Sequence, residues 1–248
     1  MKTTKFSLIG MLTLAFLLST TISYSQEQAQ AKYGMVETIY IMPVKGKEKQ
    51  FEKAVKLHND TFHTKAPHEA GMNVIISGPE TGWYVWFMGP TTFTDLDTRP
   101  SGEHDGDWNT NIDPLVKKYG KTEYWKFQDK LSHAPEGTNT KYANVWLIDL
   151  KRGSFEKSFK AIMGKVKAVY EKRTGETYGV YSTQFNGDDG RDVVILFNYN
   201  KWADLDKDSN FKKDFEAING ENSFDAFLKE WEEITPSIMS AMWLDVYK

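Results

Sequence analysis

The sequence predicts an α+β protein made of two similar β-α-β-β-α-β units in tandem. Three observations predict it: an apolar leader that stands apart from everything after it, two long stretches that follow the same order of motifs, and a polar, breaker-rich segment between them.

The leader comes first. Lys2 and Lys5 precede an uncharged apolar run over residues 8–18, and a stretch made mostly of Ser and Thr covers positions 19–25. A positive start, an apolar stretch too short to span a bilayer and a small-residue end are the marks of an export signal. Residues 1–25 are therefore expected to be a signal peptide cut ahead of Gln26, with Ala29 and Ala31 offering a second cut. Residues 26–34 then form a polar N-terminal segment, and the mature chain is expected in the periplasm or outside the cell. No cysteine stands near the cut to carry a lipid.

The rest of the composition narrows the function classes. The formal net charge is −3, and removal of the two leader lysines makes the mature chain more acidic. With no basic stripe, nucleic acid is not an expected partner. No later segment approaches the ~18 uninterrupted apolar residues of a membrane span, so no membrane association is expected after cleavage. The absence of cysteine excludes disulfides, a thiol nucleophile and thiolate metal sites. Stability must come from packing, for which 8 Trp, 12 Tyr and 15 Phe supply bulk.

The first unit is expected over residues 35–131. Residues 35–44 alternate in strand fashion, and Phe51, Val55, His58 and Phe62 then recur on one face of a helix. Residues 72–77 and 83–88 pair as a hairpin around Gly78-Pro-Glu-Thr-Gly82, and Pro90 is expected to end its second strand. A broken helical region over residues 93–119 and a fourth strand over 122–128 complete the unit.

A linker is expected over residues 132–141, which carry Pro135, Gly137 and Asn139. The second unit, residues 142–248, repeats the order. A strand over 142–150 leads to a helical stripe of Phe155, Phe159, Ile162, Met163, Val166 and Val169. Strands over 178–185 and 191–198 flank Asn186-Gly-Asp-Asp-Gly190, a helix covers 224–234, and a strand over 239–247 closes the chain. Shared details support the repeat: Phe51-Glu-Lys answers Phe155-Glu-Lys after each unit's first strand, and Asp95-Leu-Asp answers Asp204-Leu-Asp after each unit's third.

Each unit would be a four-stranded antiparallel sheet with helices on one face and an apolar second face left over. Two such faces in one chain can bury each other. In this order of elements, and in the strand-to-helix passage from Trp86 to Asp95-Leu96-Asp97, the chain resembles the ferredoxin-like, dimeric α+β barrel superfamily, which includes antibiotic-biosynthesis monooxygenases. The resemblance covers residues 35–130 and 142–248 and implies an intrachain barrel. It also implies a site between helices and sheet or inside the barrel, without implying a reaction.

All five histidines, His58, His63, His68, His104 and His133, fall in the first unit or the linker. His58 lies on the apolar helix face and is the candidate catalytic base; the plainer alternative is a core histidine bonded to a carbonyl. The five-residue spacings of His58, His63 and His68 do not put three imidazoles on one helical face, so no metal site is expected. Some relatives in the superfamily bind or degrade haem, for which His58, Asn59 and Trp86 are the residues on offer; no cofactor is expected. The acidic runs 105–113 and 204–210 fail the calcium-loop pattern, with Thr110 and Ser209 where a glycine is needed, and are expected to cap helices and turns. Tyr40, Tyr84, Trp86 and Trp146 are the candidate wall of a ligand pocket, with core packing as the alternative. The expected function is an exported protein that binds a small apolar or aromatic molecule or serves an accessory role. The alternative is a cofactor-independent monooxygenase-like enzyme using His58, or behind it a haem-binding protein, with its site in the first half, and a third reading is a structural module with a filled barrel.

Overall fold

The computed structural model describes residues 33–134, 140–185, 187 and 189–248. The expected signal peptide and half of the linker, residues 135–139, lie outside these residues. Among the described residues eight strands are formed: β1 (Met35–Pro43), β2 (Ala70–Ser77), β3 (Tyr84–Thr91), β4 (Val116–Phe127), β5 (Tyr142–Asp149), β6 (Thr177–Thr183), β7 (Val193–Tyr199) and β8 (Ser237–Asp245). They close into one antiparallel barrel in the order β1-β3-β2-β8-β5-β7-β6-β4. Within residues 35–127 the order is β4-β1-β3-β2, and within 142–245 it is β8-β5-β7-β6, the same permutation. Two seams join these sheets. At β2–β8 Val74 faces Leu244, and at β4–β6 Lys126 faces Ser182. Closure gives every strand a neighbour on both sides, although β4 meets β6 over Trp125–Phe127 alone.

The period-2 alternation of each strand divides its side chains between two cores. One set points into the barrel: Tyr40, Val85, Trp125, Val145, Leu147, Val194 and Trp243 pack together there. This is the mutual burial of two apolar sheet faces. The other set points outward beneath helices. In the first half Ile41, Met72, Tyr84, Trp86 and Met88 meet Phe51 and Val55 of α1 (Glu48–Phe62). In the second half Ile148, Tyr178, Val193 and Ile195 meet α4 (Lys160–Tyr170), α5 (Phe211–Asn219) and α6 (Ser223–Ile234).

Three local expectations are corrected. β3 runs through Pro90 to Thr91, because the cis Gly89–Pro90 step coincides with a register shift opposite β1, where no ladder N–H is needed. The helical region of the first half is shorter than 93–119. It comprises α2 (Phe93–Leu96), α3 (Glu103–Asp107), a π-helical turn over Trp108–Ile112 and a 3₁₀ turn over Asp113–Leu115, after which residues 116–119 already pair with β1. Finally, α5 has no counterpart in the sequence reading. Helix α2 and a 3₁₀ turn over Trp202–Asp204 open with caps: Asp95 accepts from the Thr92 N–H at 2.9 Å, and Asp204 from the Lys201 N–H at 3.1 Å.

The beginning of the expected linker is packed onto the second half. Ser132 is buried beside Leu131, the last residue of the expected first unit, and the His133 N–H donates to the Tyr178 carbonyl at 2.9 Å.

Candidate functional site

Two places stand out, one in each helical layer. The first surrounds His58. Helix α1 must turn an apolar stripe to the sheet, and His58 occupies that stripe three residues after Val55, so its ring is carried inside and is 1% exposed. One turn on, the helix ends at His63, whose own N–H bonds back to the Asn59 carbonyl; this imidazole is also buried. Helix α3 crosses above and contributes His104. The three rings pack with centroids 4.7–5.3 Å apart. Trp86 lies edge-on to His63, and Trp108, the first residue of the π-helical turn, lies edge-on to His58.

Every Nδ1 in this group has an oxygen partner. His58 Nδ1 lies 2.8 Å from Asp107 Oδ2, His63 Nδ1 2.7 Å from the His68 carbonyl oxygen, and His104 Nδ1 2.8 Å from Asp105 Oδ1. On the other side of the rings, His63 Nε2 and His104 Nε2 stand 3.1 Å apart, and His58 Nε2 is buried with no partner among the described residues. Burial pushes both inner imidazoles away from protonation: His58 is lowered, and His63 is lowered to about 4. The bond from His58 holds the Asp107 carboxyl below its ordinary value. Asp107 thus acts on a ring and is not one of the turn formers expected of its acidic run.

Next to the imidazoles, Trp86 Nε1 donates to Asn59 Oδ1 at 3.0 Å. Tyr84 donates its hydroxyl to Glu52 at 2.6 Å, and burial together with that carboxylate raises the phenol's pKa. Tyr40 is elsewhere, inside the barrel against Trp243. Of the four aromatics named from sequence, Trp146 is the one that borders the second place, a cavity.

That cavity of about 780 Å³ lies in the second half between the sheet and α4, α5 and α6. Trp146 of β5 and Phe197 of β7 form its floor, with Met163, Val166 and Tyr170 of α4 and Trp231 of α6 around it. At its rim the Arg173 guanidinium holds Asp214 of α5 at 2.7 Å and Glu176 at 3.0 Å, and lies over the Tyr170 ring. Burial raises the Tyr170 phenol above its ordinary pKa, so it stays protonated. The wall is aromatic and apolar and the rim charged, the usual arrangement for a small organic ligand. Sequence reasoning found Trp146, but took Met163, Val166 and Trp231 for core stripe and did not single out Tyr170 or Phe197; the signal available was a helical layer with more aromatic mass than one sheet face requires.

No protein-family model matches the chain, and no curated protein matches it. Solved structures do. A monooxygenase candidate from Lactobacillus acidophilus is similar over 85% of this chain and 93% of its own, at 9% identity and a TM-score of 0.56. A second monooxygenase candidate, from Fusobacterium nucleatum, matches over 86% and 93% at 9% identity and a TM-score of 0.54. Chlorite dismutase from Candidatus Nitrospira defluvii, solved with imidazole, matches over 86% and 92% at 11% identity and a TM-score of 0.51. At these identities the likeness is one of fold: the closed α+β barrel.

Proposed function

We propose that this chain is an exported small-molecule-binding protein of the α+β barrel type, and that its ligand occupies the cavity of the second half. The cavity's size and wall carry this reading. A volume of about 780 Å³ suits a ligand of drug-like size. The barrel interior, by contrast, is filled by Tyr40, Trp125 and Trp243. The wall selects a flat, mainly apolar molecule able to stack on Trp146 and Phe197, whose rings stand edge-to-face at 5.1 Å. The leader over residues 1–25 supports export, and the equal strand permutation of the two halves supports their origin as two copies of one unit. The paired Asp95 and Asp204 caps support it too, since each follows the third strand of its half and opens a short helix.

Two further readings are weighed by where the residues fall. A cofactor-independent monooxygenase needs its base beside the substrate, and His58 belongs to the other half from the cavity. Haem, which some members of the superfamily hold, does not fit the cavity well: no histidine lies beyond His133, and a Tyr170 ligand would require the phenol to ionise where burial opposes it.

The test is binding of the probe 8-anilinonaphthalene-1-sulfonate to the folded chain, read by its fluorescence. Val166→Trp places an indole in the cavity and is expected to lower probe affinity at least tenfold while retaining cooperative unfolding. Trp146→Ala, which removes the stacking floor, is expected to weaken binding as well. Saturable binding untouched by both substitutions would overturn the assignment of this cavity.

A further inference from the structure

The geometry points to a divalent transition-metal site formed by His58, His63 and His104. Their candidate ligand nitrogens all lie within 4.8 Å of one another. The polarity of the surroundings fixes which nitrogen is free. The His68 carbonyl can only accept, so His63 carries its hydrogen on Nδ1 and turns the Nε2 lone pair to the cluster. The Asp107 and Asp105 carboxylates impose the same tautomer on His58 and His104.

That leaves two lone pairs facing each other across 3.1 Å between His63 and His104, and a third, on buried His58, with nothing to bind. Facing acceptors repel, and an unpaired buried polar nitrogen costs free energy. A cation among the three nitrogens resolves both. In a tetrahedral site with Zn–N bonds of ~2.0–2.1 Å, two imidazole nitrogens stand ~3.3 Å apart, close to the observed pair. An oxygen acceptor on the far nitrogen of every ring is the usual support of metal-binding histidines.

Three neutral imidazoles suit Zn(II) and its first-row neighbours better than hard calcium or magnesium. The ligands come from three places: the interior of α1, its C-terminal cap and α3. His104 is the most exposed of the three, so the fourth coordination position opens toward α3 and the solvent. The site is independent of the ligand cavity, which lies in the other half.

The competing account is a shared proton. His104 would be an imidazolium donating through Nε2 to His63, and His58 Nε2 would remain unpaired. The experiment separates the two accounts. The full chain is stripped with a chelator and titrated with Zn(II) against a chromogenic competitor. Co(II) is added separately and followed by its visible absorption.

The expected result is one saturable site of sub-micromolar Kd, with a four-coordinate Co(II) spectrum. His104→Gln, at a partly exposed position on a five-residue helix, is expected to keep the fold, checked by circular dichroism, and to weaken Zn(II) at least about 100-fold. Asp107→Asn is expected to weaken it about 10–100-fold. No saturable binding, or a Kd unchanged by His104→Gln in a folded chain, would overturn the site.

Discussion

The guanidinium of Arg191 lies 5.1 Å from the centre of the Tyr40 ring, and with it a residue of the second half reaches into the first. The same guanidinium binds Glu80 at 2.7 Å, in the turn between β2 and β3, and Glu123 of β4 at 3.2 Å. The Arg191 side chain is 3% exposed. Removing it would leave two carboxylates facing a buried gap at the mouth of the barrel. Arg191→Ala is expected to destabilise the fold by about 3–5 kcal/mol, the usual cost of breaking a buried pair by one partner. Arg191→Met keeps the stem over Tyr40 and should cost less. Urea unfolding reads both, and equal small losses would show that packing at this mouth does not depend on the ion pair.

Glu123 carries the pH dependence of this cluster. Burial raises its carboxyl above the ordinary value, and the neighbouring Arg191 only partly opposes that. The folded state therefore favours the protonated form more than the unfolded chain does. Its contribution to stability is fully present below the unfolded pKa and is lost as pH rises through the higher folded one. Glu123→Gln, permanently neutral, should lack this term. The stability of the parent relative to this variant is expected to decline from pH 4 to pH 7. A difference that is flat or rises over that range would contradict the sign.

How far the sequence could be read follows from these particulars. The continuous apolar runs 145–148 in β5 and 193–197 in β7 predict strands buried on both faces, and the structure divides Val145 and Leu147 from Trp146 and Ile148 accordingly. The inward aim of His58 was legible from one helical stripe. Its partners were not, because His63 and His104 are 41 residues apart and α3 is too short to show a period. Residues 116–121 read as polar, and they are strand because the β1 ladder pairs them, with their side chains left largely in solvent. Helix α5 was legible in principle: Phe211, Phe215 and Ile218 keep helical spacing, but the Gly220 break beside it masked the pattern.

Ser132 completes the β4–β6 seam where β4 has ended. Its hydroxyl accepts the Val180 N–H at 2.9 Å and donates to the Gln128 carbonyl at 2.9 Å, standing in for a missing strand residue. Ser132→Ala leaves the buried Val180 N–H unpaired and should cost about 1–3 kcal/mol. Amide exchange offers a more local reading, since the Val180 amide is expected to lose protection while central β7 amides keep theirs. Unchanged exchange at Val180 would mean that water replaces the hydroxyl without loss.

At the opposite seam, Gly78 follows β2 with φ +105, and a Cβ built there would meet the Ser240 carbonyl oxygen of β8 at 2.7 Å. Both the backbone conformation and the close approach call for glycine. Gly82, at the other end of the same turn, has φ +91 and nothing within 4 Å of a Cβ. The two positions share the conformational cost of an L side chain, about 1–2 kcal/mol, and differ in the clash. Gly82→Ala should therefore lose about that amount. Gly78→Ala should lose more, because β2 must draw back from β8 at one of the two joints that close the barrel. Chemical denaturation of the two variants isolates the seam's share as their difference. If Gly78→Ala proved no worse than Gly82→Ala, the β2–β8 approach would not be a tight joint.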